Sequence, residues 1–194
     1  AYPLLKKYSI PATIFLVAEK VGTNDNFWPT IIAQLLKSNF LEALKSNQLF
    51  KNTLESLAIH DNNDINQDTI ANIIAKLKDH PNSEIYTALN QINYQSLLQA
   101  SPTPALLQWE QILEMHDSKL ISFGSHTCTH QRLTKISNQE VLNYEIVMSK
   151  KILEDKLQTT INHFCYPNGD MNDEIEHLVK NHYKTALSTK RGIE

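Results

Sequence analysis

Two imidazoles four residues apart carry the first hint of chemistry in this chain. His126 and His130 frame the segment Ser125-His126-Thr127-Cys128-Thr129-His130. Histidines at this spacing converge on one divalent ion, such as zinc, if the backbone between them makes a single helical turn. A helix starting after a strand at residues 120–124 is expected to supply that turn. It would place the pair at the C-terminal end of a strand, where the sites of parallel α/β folds gather. Thr127 or Thr129 could hydrogen-bond an imidazole and set its tautomer. Taken alone the spacing is a weak signal, and the competing reading is two surface histidines on a loop. Two nitrogens also leave a hydrolytic site one carboxylate short. Asp170 is the candidate within these residues, and Cys128 is read as a buried, unreactive thiol.

A second segment, Phe164-Cys165-Tyr166-Pro167-Asn168-Gly169-Asp170, follows another expected strand. Pro167 stiffens the exit and Gly169 permits a sharp turn. A backbone N–H fixed at such a turn can aim at a developing oxyanion; the competing reading is an ordinary strand-to-helix turn. The remaining histidines suggest less. His60, His80 and His116 fall at helix ends or loops, His177 and His182 lie with Glu174 on one solvated helix face, and His163 is read as packed on a strand. Trp28 and Trp109 are read as packing rather than as sugar-stacking residues.

The elements that must position these groups alternate. Residues 10–17 read as a buried strand of a parallel sheet. Residues 27 to about 99 change character, with apolar residues at helical spacing, and read as an insertion of three or four helices, the third at 84–98. Ser101-Pro102-Thr103-Pro104 reads as a stiff linker. Then come a helix at 105–116, a strand at 120–124, and a long helix to about 157 with Ser137 as N-cap and Glu140 in a capping box. A strand at 162–166, a helix at 173–182 and a strand at 183–188 complete the pattern. Strict alternation predicts parallel strands joined by helical crossovers.

Composition narrows the function classes. The 194 residues are 41% hydrophobic, enough for a real core. Eighteen basic against 21 acidic residues give a net charge of -3, so no nucleic-acid partner is suggested. No apolar run approaches the ~18 residues of a membrane span. Two cysteines are not a disulfide framework and leave the redox compartment open. The chain begins at Ala1 in mid-pattern and has only four glycines, so its start is read as a truncated or processed boundary.

Together these segments resemble a known family. Ser125-His126-Thr127-x-x-His130, with Phe164-x-Tyr166-Pro167-Asn168-Gly169 about forty residues later, is similar to the second and third motifs of polysaccharide deacetylases, the NodB-homology domain of carbohydrate esterase family 4. Residues 1–17, 108–112 and 145–154 resemble the flanking segments of that family. The resemblance covers residues 1–22 and 104–194 and leaves 23–103 as the helical insertion. It implies an α/β fold, a partial distorted (β/α) barrel, and removal of N-acetyl or sometimes O-acetyl groups from a bacterial surface polysaccharide or amino sugar. It also implies a divalent metal, often zinc, held by His126, His130 and an Asp, with Thr127 behind the ligands. The Asn168 backbone N–H would be the oxyanion donor, with Tyr166 and Pro167 at the substrate. A periplasmic or cell-surface setting is favoured by the family, with a cytoplasmic one left open. The family's Asp-Asp motif is expected just before Ala1 and its general-acid histidine beyond Glu194. The motif-three arginine position is Cys165. Little or no activity is therefore expected of the 194 residues alone. A non-catalytic carbohydrate-binding remnant of the same fold is the alternative, and an unrelated zinc hydrolase using Asp170 a further one.

Overall fold

Helix α1 (Tyr2–Tyr8) carries Pro3 in its first turn, where an N–H would have had no helical partner. It ends at Ser9, whose left-handed φ of 53° directs its N–H back to the Leu5 and Lys6 carbonyls. Strand β1 (Ala12–Leu16) follows. Next come α2 (Trp28–Lys37), α3 (Leu41–Lys45), α4 (Gln48–Ser56), α5 (Gln67–Leu77), α6 (Asn82–Gln91) and α7 (Tyr94–Leu98). The chain continues through α8 (Trp109–Asp117), β2 (Ile121–Ser125), α9 (Gln139–Asn143), a π-helical turn (Tyr144–Met148) and α10 (Ser149–Leu157). Strand β3 (His163–Cys165), α11 (Asp173–His182) and β4 (Thr185–Leu187) complete it. This computed structural model describes residues 1–98 and 106–190, so the expected linker at 101–104 and the first residue of the helix expected at 105 lie outside the described residues. Two units form: Ala1–Asn24 with Pro104–Glu194, and Asp25–Thr103.

In the first unit the strands are all parallel and lie in the order β1-β2-β3-β4. Sheet order equal to chain order means that every right-handed crossover steps the same way. The helices then gather on one face, the winding of a (β/α) barrel rather than of a doubly wound sheet. With four strands the sheet stays open. Strands β1 and β2 run in register from Ala12 opposite Ile121 to Leu16 opposite Ser125. Gly124 is required by close approach, since a Cβ there would lie 2.5 Å from the Phe15 ring and 2.9 Å from the His163 carbonyl oxygen. Ile112, Leu133, Ile146, Leu153 and Phe164 form the fully buried centre of this unit.

Several expectations need correction. Strand β1 is half-buried, with Thr13 exposed, because β1 ends the strand order and neighbours only β2. Asn138 rather than Ser137 caps α9, its Oδ1 accepting the N–H groups of Glu140 (2.8 Å) and Val141 (3.3 Å). The long helix is not uniform, because the π-helical turn interrupts it. The second unit has six α-helices and one 3-10 turn, Asn62–Asp64, among the described residues, not three or four helices. Asn39 and Asn93, at φ 62° and 51°, break what apolar spacing alone joins, so the helix expected at 84–98 is two. Ile32, Leu35, Leu41, Leu77, Ile85 and Leu89 give this unit its own core. Trp28 lies in that core and donates Nε1–H to Asn82 Oδ1 at 2.9 Å.

Gly124→Ala is expected to lower stability by about 1–3 kcal/mol, the usual cost of overpacking. Adding Phe15→Leu should restore only part of the loss, because the His163 carbonyl still crowds the new methyl. Urea unfolding of both variants checks this.

Candidate metal centre and oxyanion turn

Strand β2 delivers Ser125 fully buried, its hydroxyl 2.7 Å from that of Ser149. The helix expected after it does not form. Residues 126–130 run as an irregular loop in which Thr127 (φ 70°) and His130 (φ 67°) are left-handed. For a β-branched residue such as Thr127 this backbone costs on the order of 1–3 kcal/mol. The surroundings supply the compensation from two sides. The extension of β1 takes the loop's carbonyls, with Ala18 N–H donating to Thr127 and Glu19 N–H to Cys128, both at 3.0 Å. Glu145, on the π-helical turn and 1% exposed, takes its amides. Glu145 Oε2 accepts the N–H groups of Cys128 (3.0 Å) and Thr129 (2.9 Å), and Oε1 accepts the Thr129 hydroxyl and the Gln131 amide. Thr127 acts on the main chain rather than on an imidazole: its Oγ1 accepts the His130 N–H at 2.9 Å.

The loop brings the two rings together. The His126 and His130 centroids lie 4.7 Å apart at an interplanar angle of 72°. His126 Nδ1 lies 2.7 Å from the Cys165 carbonyl oxygen. A carbonyl only accepts, so Nδ1 carries the proton and Nε2 keeps its lone pair. Burial holds the His126 pKa below its ordinary value despite that hydrogen bond, which favours the neutral ring a metal requires. Two adjacent imidazole rings are the ligand type that suits a divalent ion. No third His, Cys, Asp or Glu joins them among the described residues. Asp170 turns instead to Arg132, whose Nε it accepts in an ion pair that ties the histidine loop to the turn after β3.

That turn is a single 3-10 turn, Pro167–Gly169, in which Asn168 has φ 58° and Gly169 φ 74°. A Cβ on Gly169 would lie 2.6 Å from the Thr189 backbone nitrogen. Asn168 is exposed, and among the described residues no acceptor takes its N–H. Tyr166 and Pro167 are buried, the tyrosine ring meeting Phe164 edge-on at 5.2 Å. What this turn offers outward is therefore backbone rather than those two side chains.

The other candidates go elsewhere. Cys128 is buried with its Sγ 3.4 Å from the Tyr144 carbonyl oxygen, and burial, then the nearby Glu145 carboxylate, push its pKa up to about 12. Burial also raises Cys165. His163 pairs through Nδ1 with Thr185 Oγ1 at 2.7 Å. His177 and His182 lie on α11. Trp109 packs beside Gly22, with Lys156 Nζ 5.6 Å from its ring centroid. Sequence reasoning did not single out Glu145 and Arg132 for these roles. An acid in a helix and a cation near a loop read as surface groups until burial and partners are known.

Since the thiolate is the reactive form, Cys128 is expected to resist iodoacetamide at pH 8 in the folded protein and to react at the ordinary rate once unfolded. Peptide mass spectrometry before and after denaturation reads this out.

No curated protein matches the chain. A Bacillus anthracis structure assigned to the polysaccharide deacetylases shares 34% identity over 45% of this chain and 27% of its own, with a TM-score of 0.42. A polysaccharide deacetylase from Bacillus cereus shares 27% identity over 54% of this chain and 37% of its own, with a TM-score of 0.43. The deacetylase PplD of Streptococcus pyogenes, solved with acetate, shares 24% over 55% of this chain and 50% of its own, with a TM-score of 0.42. The chain thus spans 27%, 37% and 50% of the lengths of these three structures. The family model for polysaccharide deacetylase matches residues 1–186. On that match, which takes in both motif loops, the chain belongs to the polysaccharide deacetylase family.

Proposed function

We propose that this protein takes part in metal-dependent removal of N-acetyl, or alternatively O-acetyl, groups from a bacterial surface polysaccharide. The observation that carries the reading is the pair of adjacent imidazoles, one with its proton fixed on Nδ1 by the Cys165 carbonyl, beside a turn whose Asn168 N–H has no acceptor among the described residues. Polysaccharide as the substrate class follows from the family.

His126 and His130 would hold the ion, through Nε2 in the case of His126. A divalent ion there, zinc being the best match to two imidazoles, would supply Lewis acidity to the acetyl carbonyl and to a bound water. The Asn168 N–H donates to the oxygen that gains charge as the carbonyl carbon becomes tetrahedral. Because the backbone of residues 167–169 is fixed before substrate arrives, that hydrogen bond needs little rearrangement in the transition state. Arg132 and Asp170 keep this donor in register with the histidines. No third His, Cys, Asp or Glu accompanies the pair among the described residues, so weak turnover by these residues alone is expected. Among the described residues no helix is long and apolar enough to cross a membrane.

Zinc titration by calorimetry is expected to show one site that His126→Ala and His130→Ala each abolish. In the longer protein carrying these residues, acetate release from N-acetylated glucosamine oligomers should fall about 100-fold or more in either variant, the equivalent of several kcal/mol of lost charge stabilisation. Bound zinc without acetate release from any acetylated amino-sugar polymer would count against the hydrolase. Saturable glycan binding without release would instead favour a carbohydrate-binding module.

A further inference from the structure

We propose that Glu145 is a positioning residue for the histidine pair, acting through the backbone amides between them. The inference rests on the metal reading above. Only three residues separate His126 from His130, and Glu145 Oε2 grips the N–H groups of two of them, Cys128 and Thr129. Its second oxygen takes the Thr129 hydroxyl and the Gln131 amide, so both lone-pair faces of the carboxylate point into the loop. The group is 1% exposed, which means it meets the loop and not solvent.

Position in the fold makes this more than a loop contact. The carbonyls of Thr127 and Cys128 are already taken by the β1 extension. Without Glu145 the amide side of the same peptides would be unpaired in a buried setting, and the left-handed residues Thr127 and His130 could relax. Relaxation by a single peptide rotation turns one imidazole away from the other. The π-helical turn, Tyr144–Met148, adds one residue to a helical turn and so sets which side chains face the loop. Hydroxyls anchor the turn and the helix after it: Tyr183 OH donates to the Ile146 carbonyl at 2.7 Å, and Ser149 Oγ at the start of α10 reaches Ser125 Oγ on β2 at 2.7 Å. Glu145 thus stands on a rigid mount whose reference point is the end of β2 itself.

The test compares three variants on the chain as it stands. Glu145→Gln keeps the length but turns an NH2 group toward N–H donors. Glu154→Ala removes the carboxylate that accepts the Ile161 N–H at 2.9 Å, at the end of α10 away from the loop and its mount. Both should lower the melting temperature. Only Glu145→Gln should weaken zinc binding, by about 10–100-fold, as loss of a group behind the ligands does. Hydrogen exchange should quicken at the Cys128 and Thr129 amides in Glu145→Gln and not in Glu154→Ala. If Glu145→Gln does not fold, Thr129→Val, which removes one contact to the carboxylate, should weaken zinc binding to a smaller degree. Equal zinc affinity in wild type and Glu145→Gln, or an equal loss in Glu154→Ala, overturns the positioning role. A wild-type chain that binds no zinc while its loop amides depend on Glu145 overturns the metal reading, and the role with it, but leaves the clamp.

Discussion

Residues 126–130 must present two imidazoles to one point although two of the five, Thr127 and His130, adopt left-handed backbone. Such a loop does not hold itself. The carbonyls of Thr127 and Cys128 are satisfied by Ala18 and Glu19 and the amides of Cys128 and Thr129 by Glu145, so three separate stretches of chain meet at two peptide groups. The histidine pair is therefore a tertiary product. A helical turn would have placed side chains four apart by local geometry alone. Here the same spacing serves a different backbone, in which the Thr127 hydroxyl takes the His130 N–H.

The winding of the sheet explains why the two motif loops are neighbours. Parallel strands in chain order send every C-terminal end to the same rim. The loops after β2 and β3 then need only short links to act together. One is the His126 Nδ1–H bond to the Cys165 carbonyl, which fixes a tautomer and a distance at once. The other is the Arg132–Asp170 ion pair, partly shielded from solvent, which joins the residue two beyond His130 to the residue after Gly169. Gly124 belongs to the same logic, because strand β2 can approach Phe15 and His163 this closely only without a side chain.

How much of this was legible follows from which signals are local. Periodicity marked the four strands and α11 to within a few residues, because apolar alternation and turn residues act over short stretches. The histidine spacing pointed to the right pair of side chains but to the wrong backbone, since a helix and a clamped loop both fit four residues. Asn39 and Asn93 ended helices in left-handed conformation, a role that Asn fills readily but that its presence alone does not announce. Glu145 and Arg132 were hardest to read. Each acts on residues 14 to 38 positions away, through partners that no window of sequence contains.

The helical unit raises the question of how a site built on such fine placement tolerates roughly 80 extra residues between β1 and β2. Loop-closure entropy rises only as the logarithm of length, so a long excursion adds little beyond a short one. Two further conditions must hold. The excursion must not depend on the host for burial, and the helices α2 to α7 have a core of their own around Leu35, Leu77 and Leu89. Its base must also be closed, or the strain of the excursion would reach β1. Gly22 N–H donates to the Leu107 carbonyl at 3.1 Å, and the left-handed φ of Gly22, 76°, turns the chain beside the Trp109 ring. The last residues of β1's extension that the histidine loop needs, Ala18 and Glu19, lie before that closure. The insertion therefore begins only after the site has taken everything it uses from the first strand.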